Sequence, residues 1–269
     1  MKTRALELAT ATTDPVQRLN VLREYVQASV LRSYHESEAF QSISFVGGTA
    51  LRFLYGLQRF SEDLDFALET AHGYSPDDWV AKLRRDLGFA GFDASVTWND
   101  RETVHVGWVR IAGLLSEAGL APLPDQKLSV KLEIDTRPPE GARTENRVVN
   151  RHFLVAFRHH DLSSLMAGKI HALAARAYTK GRDWYDLLWY RAQSPPVDPN
   201  LQLLQEALDQ TEGAGTHEAS DWRQIIGSAL DRLDVRNVRA DVAPFLERNE
   251  EADLLSEENL RQMLEVRDR

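Results

Sequence analysis

Val16, Leu19, Leu22, Val26 and Val30 recur in steps of three and four, which predicts one long helix over 15–41 opened by Asp14 as cap and Pro15 as first helical residue. The pattern then shortens. Ile43–Val46 is a brief apolar run met at once by Gly47-Gly48-Thr49, and 50–55 reads as a helix stopped at Gly56, so the order is strand, glycine turn, helix. Residues 63–68 alternate charged and apolar side chains, as a half-buried strand does. A helix over 76–87 follows, then strands over 94–98, 104–111 and 128–135, separated by turns rich in Gly, Pro and Asp. From Leu162 the period becomes helical. Leu165, Ile170, Leu173 and Ala174 fit one helix, Trp184, Leu187, Leu188 and Tyr190 fit another, and 201–211 and 220–234 continue in the same style. Ser194-Pro195-Pro196 is a local break, and no repeat or low-complexity segment occurs. The expectation is an α/β (α+β) fold: a mixed-sheet lobe with an N-terminal helix over 1–160, then a mainly helical lobe over 161–269.

Composition narrows the chemistry. At 269 residues, with 43% hydrophobic and 27% charged side chains, the chain has the make-up of an ordinary globular protein. Cysteine is absent, which removes disulfides, thiolate nucleophiles and Cys-bearing zinc sites, and leaves oxygen or imidazole as ligands for any metal. The N-terminus has no signal-like apolar core and no apolar run approaches membrane-spanning length, so a cytoplasmic protein without a membrane partner is expected. The net charge of -9 argues against a surface coated in cations. The charge is unevenly spread, however. Arg143, Arg147 and Arg151 lie between Arg137 and Arg158, opposed only by Glu140 and Glu145, with His152, His159 and His160 in or beside the stretch. Beyond Glu247 the chain is acidic, with Glu250, Glu251, Asp253, Glu257, Glu258 and Glu265. A local basic face over 137–158 is therefore expected despite the acidic total.

Asp63 and Asp65, separated by one residue on a predicted strand, leave the same face and can converge on divalent metal, which takes one or two carboxylates together with substrate phosphates. Alone, such a pair is common and often only a solvated strand face. Gly47 and Gly48 upstream, at a strand-to-helix turn, supply backbone N–H groups suited to a triphosphate, although a glycine pair also makes a plain tight turn. Arg59, Ser61 and Glu62 precede Asp63; Ser61 is a candidate for a phosphate oxygen or a cap of its own turn. Lys131, Glu133 and Asp135 share one face of the 128–135 strand, where a carboxylate can complete a metal site or the group can form surface ion pairs. Lys169 interrupts an apolar helix and either snorkels to solvent or faces a cleft. Asp183 opens the next helix, and Asp186 is a candidate partner of Arg182 or Arg176. His159-His160-Asp161 reads as a helix entry capped by Asp161 or Ser163. No His-x-x-x-His, Gly-x-Ser-x-Gly or Walker-type segment occurs, which disfavours zinc-hydrolase, serine-hydrolase and P-loop readings.

Taken together, Phe45-Val-Gly-Gly-Thr-Ala-Leu-Arg52, Tyr55-Gly56 and Arg59-Phe-Ser-Glu-Asp-Leu-Asp-Phe-Ala-Leu68 resemble the first motif of the AbiEii/AbiGii (MenT-like) toxin family within the DNA polymerase β-like nucleotidyltransferases. Lys131-Leu-Glu-Ile-Asp-Thr-Arg137, the helix bearing Lys169 and Arg182-Asp-Trp-Tyr-Asp-Leu187 resemble later elements, so the likeness spans about 43–191. It implies a bilobed enzyme of a toxin–antitoxin system that uses magnesium or manganese to transfer a nucleotide from a nucleoside triphosphate to an acceptor, the 3′ end of tRNA, with a cognate antitoxin as partner. By the same resemblance Gly48 and Ser61 contact phosphates, Asp63 and Asp65 hold metal, Lys169 neutralises the triphosphate, and Asp183 is a further catalytic carboxylate. The family's usual Gly-Ser pair reads Gly47-Gly48 here, which leaves Thr49 and Ser61 as alternative sources of the hydroxyl. Competing readings are a nucleotidyltransferase acting on a protein or small molecule, and a nucleotide-binding regulator without turnover.

Overall fold

A computed structural model describes residues 1–123, 125–176 and 178–265. The chain divides into two compact units, one of Met1–Pro138 and Glu145–His159, the other of Pro139–Thr144 and His160–Arg269.

The first unit holds a seven-stranded mixed sheet. Its strands are β1 (Ile43–Val46), β2 (Leu64–Leu68), β3 (Asp93–Asn99), β4 (Val104–Ala112), β5 (Leu128–Asp135), β6 (Thr144–Asn150) and β7 (Leu154–His160), in the order β3-β4-β5-β2-β1-β7-β6. β2 runs antiparallel to β1 and parallel to β5, so the strand bearing Asp65 is central. On β5 the period of two is complete: Leu128, Val130, Leu132 and Ile134 are buried, while Ser129, Lys131, Glu133 and Asp135 stay half-buried on the other face.

Four helices serve this unit before β5: α1 (Lys2–Thr10), α2 (Pro15–Glu36), α3 (Gly47–Tyr55) and α4 (Pro76–Phe89), followed by one further turn, α5 (Leu114–Glu117). α2 ends five residues before the sequence pattern suggested, at Glu36, and Asp14 caps it by accepting from the Val16 amide at 2.9 Å. α2 packs on α1, α4 and β5, burying Leu22, Tyr25, Val26, Val30, Leu31 and Tyr34. Its one buried carboxylate, Glu24, is matched by Arg52 of α3, by Arg151 at 3.0 Å and by His152 at 2.9 Å. Burial alone would raise the Glu24 carboxyl, but His152, Arg52 and Arg151 outweigh it and hold it at about 2. Arg52 also lies 3.8 Å over the Phe60 ring and donates to the Leu57 carbonyl, so the chain after α3 is tied back to α2 through the same guanidinium.

The second unit is helical: α6 (Leu162–Ala175), α7 (Gly181–Arg191), α8 (Leu201–Glu212), α9 (Trp222–Leu230), α10 (Val235–Val242) and α11 (Glu257–Glu265). Met166, Ile170, Leu187, Tyr190, Leu204, Trp222, Ile226, Val238 and Leu260 form its core. Gly181 is required at the α7 start, because a Cβ there would press on the Val238 carbonyl of α10. The segment Pro139–Thr144 belongs to this unit through Asn200, whose amide donates to the Gly141 carbonyl at 2.8 Å, and through Ser164, whose hydroxyl accepts from the Arg143 amide at 3.0 Å. The acidic stretch beyond Glu247 is packed as well. Glu251 accepts from the Tyr185 hydroxyl and from Arg248, and Leu260 and Met263 are buried. No helix among the described residues is long and apolar enough to cross a membrane.

Candidate active site

Asp65 stands on β2, which begins at Leu64, one residue later than predicted, so Asp63 lies just before the strand. Leu64 between them is fully buried, while both aspartates remain half-buried. Val46 is the register partner of Asp65, so the β1–β2 ladder delivers that carboxylate to Gly47, the first residue of α3. α3 thus begins at Gly47, three residues earlier than the apolar pattern suggested. Gly47 has φ of +77°, and a Cβ built on it would stand 2.9 Å from Asp65 Cγ and 3.0 Å from Asp65 Cβ. Only glycine meets both conditions. Gly48 is equally tight against Arg59, whose Nη1 a Cβ would approach to 3.2 Å. Arg59 is buried and donates to the Phe60 carbonyl at 2.9 Å, which makes it a support behind the turn. Val46 gives α3 no side-chain cap, so the first amides of the helix and its dipole favour an anion there.

Two buried side chains fix the peptide that carries the aspartates. The Thr49 hydroxyl donates to the Asp63 carbonyl, and the Gln27 amide of α2 donates to the Ser61 carbonyl at 3.0 Å. The Thr49 hydroxyl is thereby committed to the backbone. Ser61 is the half-buried hydroxyl of the two.

Glu133 of β5 is the register partner of Asp65, and parallel pairing sets the two side chains on one face of the sheet. Lys131 pairs with Glu133 at 2.8 Å. Burial works to lower the Lys131 ammonium, yet Glu133 first and then Asp63 and Asp65 raise it above the usual lysine value. Glu133, Asp63 and Asp65 thus act together on this one ammonium. Asp135 acts elsewhere, since its Oδ1 accepts from the Arg137 amide at 2.9 Å and closes the end of the strand. Among the described residues no group of three or more His, Asp or Glu could hold a metal ion by itself. Two half-buried aspartates in a negative field fit a hard divalent ion that completes its shell with substrate oxygens and water, and do not fit a closed, all-protein site.

In the second unit Lys169 projects inward from α6. Its Nζ lies 2.9 Å from Asp183 Oδ1 and 2.8 Å from Asp186 Oδ2, both on α7. Arg176 meets the other Asp183 oxygen. Asp183 and Asp186 are buried; burial works to raise the Asp183 carboxyl, but Lys169 and Arg176 overcome it and hold it at about 2. Asp186 thus has Lys169 as a partner, which the sequence did not single out. The Arg182 guanidinium, on the same helix, covers the Phe245 ring at 4.1 Å.

The predicted basic face over 137–158 is largely used by the fold. Arg151 reaches the buried Glu24, Arg147 donates to the Leu54 carbonyl at 2.6 Å and covers the Tyr55 ring, and Arg143 pairs with Asp161 at 2.9 Å. His159 and His160 end β7 instead of opening a helix, and Asp161 is the α6 cap, accepting from the Ser164 amide at 2.7 Å. The sequence reading missed Gln27 and Glu24; Glu24 lies opposite the face that Leu22, Val26 and Val30 define, so no local signal marked it as buried.

The sequence model of one family, described as nucleotidyl transferase AbiEii toxin of type IV toxin–antitoxin systems, matches residues 29–266. The chain belongs to the AbiEii family. It is therefore a nucleotidyltransferase of the type IV toxin–antitoxin class. Its fold is similar to that of MenT4, the nucleotidyltransferase toxin Rv2826c of Mycobacterium tuberculosis, with a TM-score of 0.54 at 17% identity over 98% of this chain and 88% of that one. It is also similar to JHP933 from Helicobacter pylori, with a TM-score of 0.52 at 20% identity over 91% of this chain and 90% of that one. No curated protein matches the chain. The AbiEii match includes the Gly47–Gly48 turn, both aspartates and the Lys169 cluster.

Proposed function

We propose that this AbiEii protein is a metal-dependent enzyme that transfers a nucleotide from a nucleoside triphosphate to the 3′ end of tRNA in the cytoplasm, arresting translation and growth unless an antitoxin restrains it. The observation that carries the reading is the juxtaposition of Asp65 with Gly47, which sets a metal-type carboxylate beside an uncapped helix start suited to phosphate.

Asp63 and Asp65 would hold the divalent ion, with magnesium or manganese fitting the donor set. Bound there, the metal supplies charge stabilisation for the attacking and leaving oxygens of an in-line displacement at the α-phosphate. The chain's own residues do the rest. The Gly47 and Gly48 amides orient the phosphates, and Ser61 offers its hydroxyl to one of them. Thr49 and Gln27 keep the peptide bearing Asp63 in place from behind. Glu133, half-buried as the register partner of Asp65, is the candidate proton acceptor for the incoming hydroxyl. Lys169 supplies counter-charge to the triphosphate. Asp183, held at about 2 by its two cations, is a weak base and serves by orienting Lys169 and Arg176.

Purified protein incubated with each α-³²P-labelled nucleoside triphosphate, total tRNA and magnesium tests the reading directly. A labelled tRNA band that disappears with chelator is the expected result. Label on protein, or none on any acceptor, would overturn the tRNA assignment.

A further inference from the structure

The second unit contains a cavity of about 410 Å³ where the end of α6, the start of α7 and the end of α9 meet, lined in part by Arg176, Tyr178, Lys180, Asp183, Trp184 and Arg232. Three of these six side chains are cationic and one is anionic, and the single carboxylate is already engaged by Lys169 and Arg176. Arg232 is exposed and has no ion pair or side-chain hydrogen bond among the described residues. Lys180 lies below the ordinary lysine value, through burial first and then repulsion from Arg182, which Asp183 only partly offsets. A cavity with more cations than the chain can match is stabilised by an incoming anion.

The aromatic residues narrow the kind of anion. Trp184 is buried and forms part of the wall, but Tyr178 is 67% exposed beside the cations. An open ring next to ammonium and guanidinium groups suits a chain of phosphates bearing unpaired bases, since stacking and phosphate contact act together on single strands. We propose that this cavity receives the single-stranded acceptor end of the RNA, with backbone phosphates on Lys180 and Arg232 and a base against Tyr178. The inference rests on the RNA-directed reading above and gives it the cationic surface that 137–158 does not provide. A nucleoside triphosphate offers the same phosphate chemistry, so the two sources must be separated by measurement.

The variants are Lys180→Glu with Arg232→Glu, Arg232→Glu alone as a surface change that leaves folding intact, and Tyr178→Ala. For each, binding of fluorescent tRNA is followed over a salt series, binding of a fluorescent nucleoside triphosphate is measured separately, and transfer is assayed. The double reversal should weaken tRNA binding about tenfold at low salt and flatten the salt dependence by one to two phosphate contacts, with triphosphate affinity within about twofold of wild type. Tyr178→Ala should weaken tRNA binding about tenfold with the salt dependence unchanged. Loss of triphosphate binding with tRNA binding intact would assign the cavity to the nucleotide and overturn the inference. Wild-type behaviour in all three variants would also overturn it, while wild-type protein still labelling tRNA would leave the function standing. Wild-type protein that neither binds nor labels RNA would defeat the functional reading and the inference with it.

Discussion

Two clusters of carboxylates in this protein are buried to different depths. On the sheet of the first unit Asp63, Asp65 and Glu133 together act on the ammonium of Lys131. In the second unit Asp183 and Asp186 are enclosed by Lys169 and Arg176, with Lys180 and Arg232 close by. The intrinsic chemistry of the four aspartates is the same. What differs is burial: the helical unit buries its pair beside Lys169 and Arg176, whereas the sheet unit keeps its pair half-buried. A carboxylate buried and matched by the protein is part of the protein's stability. One held half-buried keeps part of its surface open, where its oxygens can be shared with a metal ion and its substrate.

The comparison is broken most directly at Asp63 and Asp65. Replacing either with Ala should reduce transfer on the order of a thousandfold, about 4 kcal/mol of transition-state stabilisation, while the melting temperature moves by no more than about 2 °C. Transfer assays and calorimetry on the same preparations decide this; a variant that melts early would mean that these aspartates are structural too. The opposite behaviour is expected of Lys169→Met. It removes the cation shared by two buried carboxylates and leaves Asp183 to Arg176, so urea unfolding should show a loss of about 3 kcal/mol besides the loss of transfer. Full stability in Lys169→Met would erase the distinction between the clusters.

Acid sharpens the comparison further. Glu24 and Asp183 both have folded values lowered to about 2, from 4.5 and 3.8. A depressed carboxyl contributes its full stability above the unfolded value and loses it as pH falls through the folded one, so both contributions should disappear between pH 4.5 and 2. The shifts correspond to about 3 and about 2 kcal/mol. Unfolding free energies measured across that window should fall steeply, and Glu24→Gln should flatten the curve. The smallest effect is expected at Thr49. Thr49→Val leaves the Asp63 carbonyl without its donor and should cost about 1 kcal/mol of stability. It should also lower kcat and raise the magnesium requirement more than the triphosphate KM, and Thr49→Ser should restore both. An unchanged metal requirement in Thr49→Val would separate this hydroxyl from the aspartate site.

The local parts of this arrangement were legible in the sequence because local rules determine them. The glycine pair after a short apolar run, the alternation at Asp63 to Asp65 and the period of two through Lys131 and Glu133 needed only neighbours in the chain. β6 escaped because it is a polar edge strand with almost no buried face, so no apolar alternation marks it. β7, which buries Val155 and Phe157, was obscured by the arginines and histidines around it. α1 was missed too: its buried face is two alanines, Ala5 and Ala9, too small to mark a period. The destinations of long side chains were also out of reach. Arg151 reads as a free surface cation until Glu24, 127 positions away, is brought beneath it. Asp186 has several arginines near it in sequence, and the packing of α6 on α7 adds Lys169 as a partner.

Gly47 has a genetic consequence. Every glycine codon lies one base change from alanine, from valine and from an acidic residue, and each of these would place a Cβ against Asp65 on a backbone at φ of +77°. No conservative substitute exists at this position. Under the growth-arresting activity proposed above, a cell carrying this gene without effective restraint is under selection to silence it, and the codon for Gly47 offers a route that leaves the protein full-length. Survivors of forced expression should therefore include missense changes at Gly47 alongside the frameshifts and stops that inactivate any gene.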